Sequence, residues 1–257
     1  MEIIIIGFVA ALASLLTFFS GFGLGTILTP VLVIFFPPEV AIALTGIVHL
    51  LNNLFKISLV GKNIDWKVGL KFGILGMIGA FIGAQLLTRI PQATLLFTYS
   101  IGEKNFEITL LKLIIAILMI IFALFEVIPV LKKIQFKENK LYAGGLISGF
   151  FGGLSGNQGA LRSAFLIRAG LSKENFIATG IMIACLVDFT RLSVYFNRFL
   201  KINIQENLLL LTVAILSAFA GAFIGSKALK KVTYEFIQWT VAVMIILLAL
   251  ALGTGII

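Results

Sequence analysis

Charged residues are scarce in this chain of 257 residues, and their scarcity excludes a water-soluble protein. They make up 12% of the sequence, whereas hydrophobic residues make up 60% and the mean hydropathy is +1.13. Soluble globular domains carry about 25% charged residues. A chain of this length has room for roughly eight membrane spans of about 20 residues each, and for little else. We therefore expect a multi-pass protein of the cell membrane, in contact with the lipid bilayer.

Cysteine and histidine occur once each, which excludes several kinds of site. The single Cys185 cannot form a disulfide within the chain, and one Cys with one His does not make a zinc-binding pattern. The sequence also lacks the G-x-S-x-G, H-E-x-x-H and Walker A motifs. We expect no enzyme activity, no metal and no cofactor. A membrane enzyme and a structural membrane protein are the less favoured alternatives.

Acidic residues are also few, 11 against 20 basic ones, so the formal net charge is +9. The basic residues lie mostly in short segments between apolar runs, as is typical of cytoplasmic loops in membrane proteins. They therefore do not indicate a nucleic-acid-binding surface. The sequence does not determine the oligomeric state, and a homo-oligomer is compatible with it.

The sequence does contain an internal repeat. The pentapeptide GAFIG occurs at Gly79–Gly83 and again at Gly221–Gly225, 142 positions later (221 minus 79). A second shared pattern, a Thr-Gly pair about twenty residues after a glycine, occurs at 25–46 and at 159–180. Weak internal symmetry of this kind is typical of transporters, whose substrate site lies between the repeats.

Apolar runs divide the chain into eight segments. Two of them, 3–36 and 141–170, are broken by glycine-rich stretches at 20–25 and 152–159. Lipid cannot satisfy the backbone groups that such breaks expose, so the breaks must be covered by protein or face a water-filled cavity. Their matched positions in the two halves predict a substrate site there. The other six segments read as uninterrupted spans: 39–60, 66–88, 108–129, 174–197, 206–227 and 235–256.

The basic residues of the loops predict how the broken segments lie in the membrane. If both segments span it, the loops on the two sides carry nine and eight basic residues; if both are re-entrant hairpins, they carry twelve and five. The second arrangement satisfies the positive-inside rule. It leaves three full spans in each half, an odd number, so the halves insert with opposite orientation and both ends of the chain lie outside.

The predicted fold is therefore an all-α polytopic membrane protein of about eight hydrophobic segments, arranged as an inverted repeat with two broken, re-entrant helices. Residues 1–129 form the first transmembrane repeat, 130–140 a cytoplasmic linker and 141–257 the second repeat. Segment 89–107 is the longest stretch that does not span the membrane. The sequence leaves open whether this segment forms an interfacial helix.

The two glycine-rich stretches resemble those of a known family. The first is GFGLGTILTPVL (Gly21–Leu32), and the second is SGFFGGLSGNQGALRSAFLIRAGLS (Ser148–Ser172). Together they resemble the sulfite exporter TauE/SafE family of permeases, the second stretch being similar to a subgroup with a Gln-Gly-Ala-Leu-Arg-Ser core. The resemblance implies a secondary transporter of small anions such as sulfite or organosulfonates, working by alternating access. A transporter or channel for another small anion, such as a carboxylate or phosphate, is the alternative.

Arg162 is the leading candidate for binding the anion, because a charge deep in the membrane costs about 2.5–3.5 kcal/mol and needs a reason. It stands one turn after Gly159, near the start of a half-helix whose N–H groups and dipole favour an anion. Its guanidinium could hold an oxyanion through two parallel hydrogen bonds. Alternatively, Arg162 is neutralised by Asp188 and joins two helices, or its side chain extends to the membrane surface.

Asp188 and Arg191 are three residues apart and share one helix face, so they are expected to pair. The alternative is that Asp188 carries a proton or acts as a gate, exchanging partners between Arg162 and Arg191. His49, the only histidine, is the other candidate for proton coupling, since its ordinary pKa lies near neutrality. A hydrogen-bonded structural histidine is the alternative for this residue.

His49 also belongs to a polar stripe on the first full span. Asn52, Asn53 and Lys56 follow it at helical spacing, so all four side chains must face protein or water. The two asparagines are assigned to the substrate site. Lys56 lies near the end of its helix, where its side chain could simply extend to the membrane surface.

The remaining substrate-site candidates lie in the breaks. The side-chain amides of Asn157 and Gln158 could donate to an oxyanion or cap exposed backbone groups, and the sequence favours neither role. Glycines allow close backbone approach and positive φ; those assigned to the site are Gly21, Gly23, Gly25, Gly156 and Gly159. The glycines of the repeated pentapeptide form G-x-x-x-G motifs, which predict tight helix packing instead.

The charge distribution generates a topology prediction. A cysteine replacing Lys133 in the 130–140 linker should be protected from an impermeant thiol reagent added outside the cell, whereas a cysteine at the C-terminal end should react. The measurement is labelling of intact cells and of broken cells. Labelling of Lys133→Cys from outside would reverse the predicted orientation.

Overall fold

The computed structural model describes residues 2–18, 23–91, 94–128, 130, 136, 140–196, 206–228 and 234–257. The first half contains helices α1 (Glu2–Thr17), α2 (Gly25–Val33), α3 (Pro38–Val60), α4 (Trp66–Arg89) and α5 (Leu110–Val127). The second half contains α6 (Leu141–Ser155), α7 (Gly159–Leu166), α8 (Lys173–Tyr195), α9 (Leu208–Ala228) and α10 (Tyr234–Gly253). A 3₁₀ turn, Gly61–Asn63, follows α3, and strands β1 (Leu95–Ile101) and β2 (Lys104–Thr109) precede α5.

Each of the six segments predicted to be uninterrupted spans forms one continuous helix. Four helical stretches are long and apolar enough to cross a bilayer: Pro38–Asn63, Trp66–Arg89, Lys173–Tyr195 and Leu208–Lys227. The other two spans are α5, with 18 residues, and α10, with 20. The prediction of an all-α polytopic membrane protein is thereby confirmed.

Polar residues at the ends of the spans define where several helices begin. The side chains of Asp65, Thr109 and Ser172 accept hydrogen bonds from backbone N–H groups three residues later, at 2.9, 3.3 and 3.2 Å. These are N-cap interactions, which satisfy backbone donors that the helix itself cannot pair. Helix α3 begins instead with Pro38, whose missing N–H removes one of the donors that a first turn leaves unpaired.

Both broken segments fold back on themselves. In the second half, Gly152 near the end of α6 contacts Gln158, while Gly144 near its start contacts Phe165 in α7, so the two helices run antiparallel. The break between them is closed by Gly156, whose N–H donates to the carbonyl of Gly152. In the first half, residues 19–22 of the break lie outside the described residues.

The directions of the neighbouring helices show that α6 and α7 form a re-entrant hairpin. Gly79 of α4 lies against Leu146 and Gly83 against Phe150, so α4 and α6 run in the same direction. Helices α4 and α8 are also parallel, because residue 69 lies against residue 182 and residue 73, one turn later, lies against residue 186. Since α6 and α8 are both parallel to α4, the chain enters at α6, returns through α7 and re-enters from the same side.

The first half follows the same course. The hydroxyl of Ser14 in α1 donates to Asn52 of α3, and Phe18 lies beside Lys56 one turn further along both helices. Helices α1 and α3 are therefore parallel, which requires α2 to return between them. The re-entrant arrangement that the loop charges predicted is thus present in both halves.

The two halves are inverted relative to each other. Helix α3 and its counterpart α8 run antiparallel, because Gly46 lies against Arg191 and Leu192 while His49 meets Asp188. The packing is also reciprocal: α1 packs along α9 as α6 packs along α4, and α5 packs against α10. Reciprocal contacts indicate a two-fold relation, and antiparallel equivalent helices put its axis in the membrane plane. The domain boundaries stay a prediction, because most of the 130–140 linker lies outside the described residues.

The repeated pentapeptides hold the hairpins against the opposite half. A methyl group on Gly79 would overlap the carbonyl oxygen of Leu146, and one on Gly221 would overlap that of Ala11. In both cases the glycine lets the backbone of a re-entrant helix approach the long helix of the other half. The expectation that these motifs serve helix packing is confirmed.

The described part of segment 89–107 does not form the interfacial helix that the sequence left open. Residues 95–109 form an antiparallel hairpin, in which Ile101 pairs with Lys104 across a two-residue turn. Gly102 is the first turn residue and has φ of +62°, the conformation that a type II′ turn requires. The hydroxyl of Tyr99 donates to the carbonyl of Thr254 at 2.7 Å, so the hairpin lies on the same side as the end of α10.

The glycine packing generates a stability prediction. Gly79→Ala should lower the free energy of unfolding by about 1–3 kcal/mol, because an added methyl group overlaps backbone atoms that cannot move independently. Gly76→Ala on the same helix is the matched control, since its methyl group would lie 3.4 Å from Val187 and 3.6 Å from the Gly145 carbonyl oxygen. Melting temperatures of the purified proteins test this, and equal values for both variants would contradict it.

Candidate functional site

The two helix breaks meet inside the protein, between the halves. A methyl group placed on Gly25, the first residue of α2, would lie 3.5 Å from the carbonyl oxygen of Gly156. Gly156 has φ of +80°, a left-handed conformation that favours glycine and ends α6, and Gly159 begins α7. The structure therefore brings these three predicted residues to one place. Gly21 lies outside the described residues.

The polar stripe of α3 faces the protein interior, as its spacing predicted. His49, Asn52, Asn53 and Lys56 are all buried. Ser14 of α1 donates its hydroxyl to the Asn52 side-chain oxygen at 3.0 Å. The Asn53 amide nitrogen lies 3.2 and 3.3 Å from the two ring nitrogens of His49.

Asp188 joins the two halves through an ionic cluster. Its Oδ1 accepts a hydrogen bond from Arg191 Nε at 2.9 Å, which confirms the expected pair on one helix face. Its Oδ2 lies 2.5 Å from Nδ1 of His49 on the antiparallel helix α3. All three side chains are at least 97% buried. The contact with His49 was not predicted, because neither helix alone carries a signal for what it faces.

Gly23 provides the space for His49. A methyl group on Gly23 would lie 2.5 Å from Nε2 of the imidazole, closer than two non-bonded atoms can approach. The first helix break therefore packs directly on the histidine, and through it on the ionic cluster. The close approach of the imidazole explains why position 23 is a glycine.

A small cavity lies beside the cluster. Its volume is about 20 Å³, which is about the space of one water molecule. Arg162 and Lys56 both line it, together with His49, Asn53 and Ser163, and no carboxylate occurs among its described lining residues. The rest of the lining consists of Thr17, Phe18, Leu166, Phe176, Ile177, Gly180, Ile181 and Ala184. Two buried basic side chains thus share one polar cavity at the junction of the halves.

The family model of the sulfite exporter TauE/SafE matches residues 5–252. The chain belongs to the sulfite exporter TauE/SafE family. No curated protein and no solved structure matches it. Membership makes the protein a multi-pass membrane transporter of small sulfur-containing anions and not an enzyme.

In this TauE/SafE transporter, Lys56 does not extend to the membrane surface as its position near a helix end suggested. It is 3% exposed, and its ammonium lies 5.4 Å from the centroid of the Phe18 ring. The reason is that α1 ends at Thr17, so that Phe18 directly after it lies over Lys56. Lys56 was therefore missed as a site residue, although the polar stripe that contains it was the available signal.

Asn157 and Gln158 of the TauE/SafE chain are buried in the second break. Neither Oδ1 of Asn157 nor Oε1 of Gln158 has a hydrogen-bond partner among the described residues. The backbone of this break is satisfied by other groups: Ser155 Oγ accepts from the Asn157 N–H, and Ser148 Oγ donates to the Gln158 carbonyl, both at 3.3 Å. Both side-chain oxygens therefore remain without a backbone-capping contact in this structure.

Proposed function

We propose that this protein is a secondary transporter of small sulfur oxyanions, such as sulfite or organosulfonates, that works by alternating access and couples transport to protons. The observation that supports the anion site most directly is the cavity lined by Arg162 and Lys56 without a described carboxylate. Two basic side chains on one small cavity make its potential positive, and a buried site of positive potential attracts an anion.

Arg162 is the residue that we assign to oxyanion recognition. It lies in the first turn of α7, three residues after Gly159, where the helix dipole adds to the positive potential. A planar guanidinium can donate two parallel hydrogen bonds to an oxyanion. Ser163 and Asn53 line the same cavity and supply further donors.

Lys56 affects which substrate charge the cavity favours. With Arg162 it gives the cavity two basic groups, so a doubly charged oxyanion such as sulfite neutralises the site better than a singly charged one. The cavity is too small for such an anion as it stands, because its volume of about 20 Å³ is about that of one water. Binding therefore requires the hairpin α6–α7 to move relative to α3.

The inverted repeat supports alternating access. Each half contributes a hairpin that packs on a long helix of the other half, and equivalent parts run in opposite directions across the membrane. If the two halves exchange their conformations, a site open to one side becomes a site open to the other. By the positive-inside rule we assign the side of the 3₁₀ turn Gly61–Asn63 to the cytoplasm.

The charges of the ionic cluster support the coupling of anion transport to a proton. When His49 is neutral, the charges of Asp188 and Arg191 cancel. When His49 binds a proton, the cluster carries a net positive charge, because His49 then compensates the charge of Asp188. Arg191 is then free to attract an anion. The charged groups facing His49 are Asp188 and Arg191 from α8, Lys56 from α3 and Arg162 across the cavity. Proton and anion would therefore bind together.

The anion site is tested by replacing Arg162. Arg162→Ala should weaken sulfite binding roughly a hundredfold or more, since truncating one partner of a buried charge contact costs about 2–5 kcal/mol. Arg162→Lys should recover little of the affinity, because an ammonium does not reproduce the two-pronged contact. The readout is the rise in melting temperature of purified protein on titration with sulfite.

The exposed Arg89 on α4 supplies the control, since Arg89→Ala removes the same charge without touching the cavity. A folded Arg162→Ala protein that still binds sulfite normally would show that Arg162 is structural. The same titration with sulfate, methanesulfonate, thiosulfate and phosphate ranks the substrates by charge and shape.

Proton coupling is tested by replacing His49. His49→Gln keeps a side-chain amide that can donate to Asp188 and removes the proton-binding group. Sulfite exchange across liposomes should persist, whereas uptake driven by a pH gradient should be lost. Asp188→Asn is the comparison: leaving Arg191 buried without its carboxylate should lower stability by about 3–5 kcal/mol. Gradient-driven uptake by His49→Gln at the normal rate would remove His49 from the mechanism.

A further inference from the structure

Two arginine side chains occupy related positions in the two halves. A methyl group on Gly180 would lie 3.6 Å from Nε of Arg162, and one on Gly46 would lie 3.3 Å from Nη2 of Arg191. Gly46 and Gly180 are equivalent, since each is the second residue of the Thr-Gly pair that marks the repeat. The two guanidinium groups belong to residues on different helices, one on α7 and one on α8. Each half thus has a guanidinium against the same glycine of its long helix.

The hydroxyl groups near these two positions are also equivalent. Ser163 is the fourth residue after Gly159, and Thr29 is the fourth after Gly25. Neither Oγ of Ser163 nor Oγ1 of Thr29 has a hydrogen-bond partner among the described residues. Ser163 lines the cavity that we assign to the anion. Its counterpart Thr29 is 1% exposed and lies on the opposite side of the two-fold axis.

The side chain of Thr45, which also carries a buried hydroxyl, lies near Thr29 across Gly25. A methyl group on Gly25 would lie 3.9 Å from Thr29 Oγ1 and 3.4 Å from Cγ2 of Thr45. Thr45 is completely buried, and its Oγ1 has no partner in the described part of the chain. Its equivalent in the second half, Thr179, accepts a hydrogen bond from the Asp65 N–H at 2.9 Å. The fold of the repeat therefore does not require the hydroxyl at this position to be unpaired, as it is at Thr45.

Arg191 lies at the same place. A methyl group on Gly156 would lie 2.8 Å from its Nη1, and the carbonyl oxygen of Gly156 is 3.5 Å from the methyl position on Gly25. Arg191, Thr29 and Thr45 are therefore gathered around the contact between Gly25 and Gly156. They combine a guanidinium with two hydroxyl groups that have no partner among the described residues, which is the chemistry of an oxyanion site.

We infer that Thr29, Thr45 and Arg191 form a second oxyanion-binding site, related to the cavity at Arg162 by the two-fold axis. The inference rests on the proposed function, and the second site takes the same small oxyanion. Along α3, Thr45 and Lys56 are eleven residues apart, which corresponds to about 16 Å. The two sites therefore lie in series across the membrane, with the contact between His49 and Asp188 between them.

The second site is closed in this structure because Arg191 itself fills the space next to Gly46 and Gly156, held there by Asp188. An anion that binds Arg191 must replace Asp188 as its partner. Asp188 remains compensated by His49, which contacts its other oxygen. The anion thus passes from Arg162 to Arg191 as the hairpins exchange conformations.

Isosteric substitution of the two threonines tests the second site. A hydroxyl without a partner contributes nothing to folding, so Thr29→Val/Thr45→Val should leave the melting temperature unchanged or raise it. Uptake of radiolabelled sulfite into liposomes should fall by about tenfold or more, because an anion loses two charge-assisted hydrogen bonds. Sulfite titration of the melting temperature should still show binding at the cavity at Arg162, because that cavity keeps all of its own donors.

Two further variants make the result decisive. Thr45→Ser keeps the hydroxyl and should transport normally. Thr190→Val on α8 is the control, because the Thr190 hydroxyl is already satisfied by the Leu186 carbonyl at 2.9 Å. Normal uptake by the double variant would overturn the second site while leaving the first intact. A lower melting temperature with loss of both binding and uptake would show a structural role and also overturn it. Failure of the proposed function would appear separately, as normal sulfite binding by Arg162→Ala.

Discussion

The structure depends on one constraint: a helix that breaks inside the membrane must have its backbone groups covered by protein. The described residues of the two breaks meet each other between the halves. The carbonyl of Gly156 lies against Gly25, and the N–H groups near the two breaks are paired within their own turns. The hairpins can approach this closely because glycines such as Gly79 and Gly221 accept the opposite backbone without side chains between. The G-x-x-x-G motifs and the breaks are therefore two parts of one arrangement.

The same arrangement explains where the ionisable residues lie. The described residues of the breaks lie between the halves, and Lys56, Arg162 and Arg191 are buried close to them. Asp188 receives one partner from its own helix and one from the opposite half, so its charge is compensated without reaching the membrane surface. Arg162 and Lys56 converge from different halves on the adjacent cavity. The fold thus places the candidate site between the repeats, where the matched breaks predicted it.

Features encoded locally were predictable from the sequence, and those that depend on contacts between halves were not. Composition and glycine clusters identified the spans and the breaks, and loop charges identified the re-entrant course. Helical spacing showed that the stripe beginning at His49 is buried. No local pattern could reveal that His49 meets Asp188, since that contact depends on the packing of antiparallel helices. The burial of Lys56 depends in the same way on where α1 ends, and the hairpin at 95–109 on the turn at Gly102.

The repeat is symmetric in its backbone and asymmetric in its chemistry. The offset of 134 residues that relates Thr45 to Thr179 places Ile183 opposite His49 and Leu54 opposite Asp188. One half supplies the imidazole and the other supplies the carboxylate, so the two halves together make a single ionic contact instead of two. Exchange of conformations between two halves needs similar backbones, which the repeat provides. The proposed proton coupling needs one charge centre that both conformations use. The single histidine and one of the two aspartates, on opposite halves and in contact, meet that requirement.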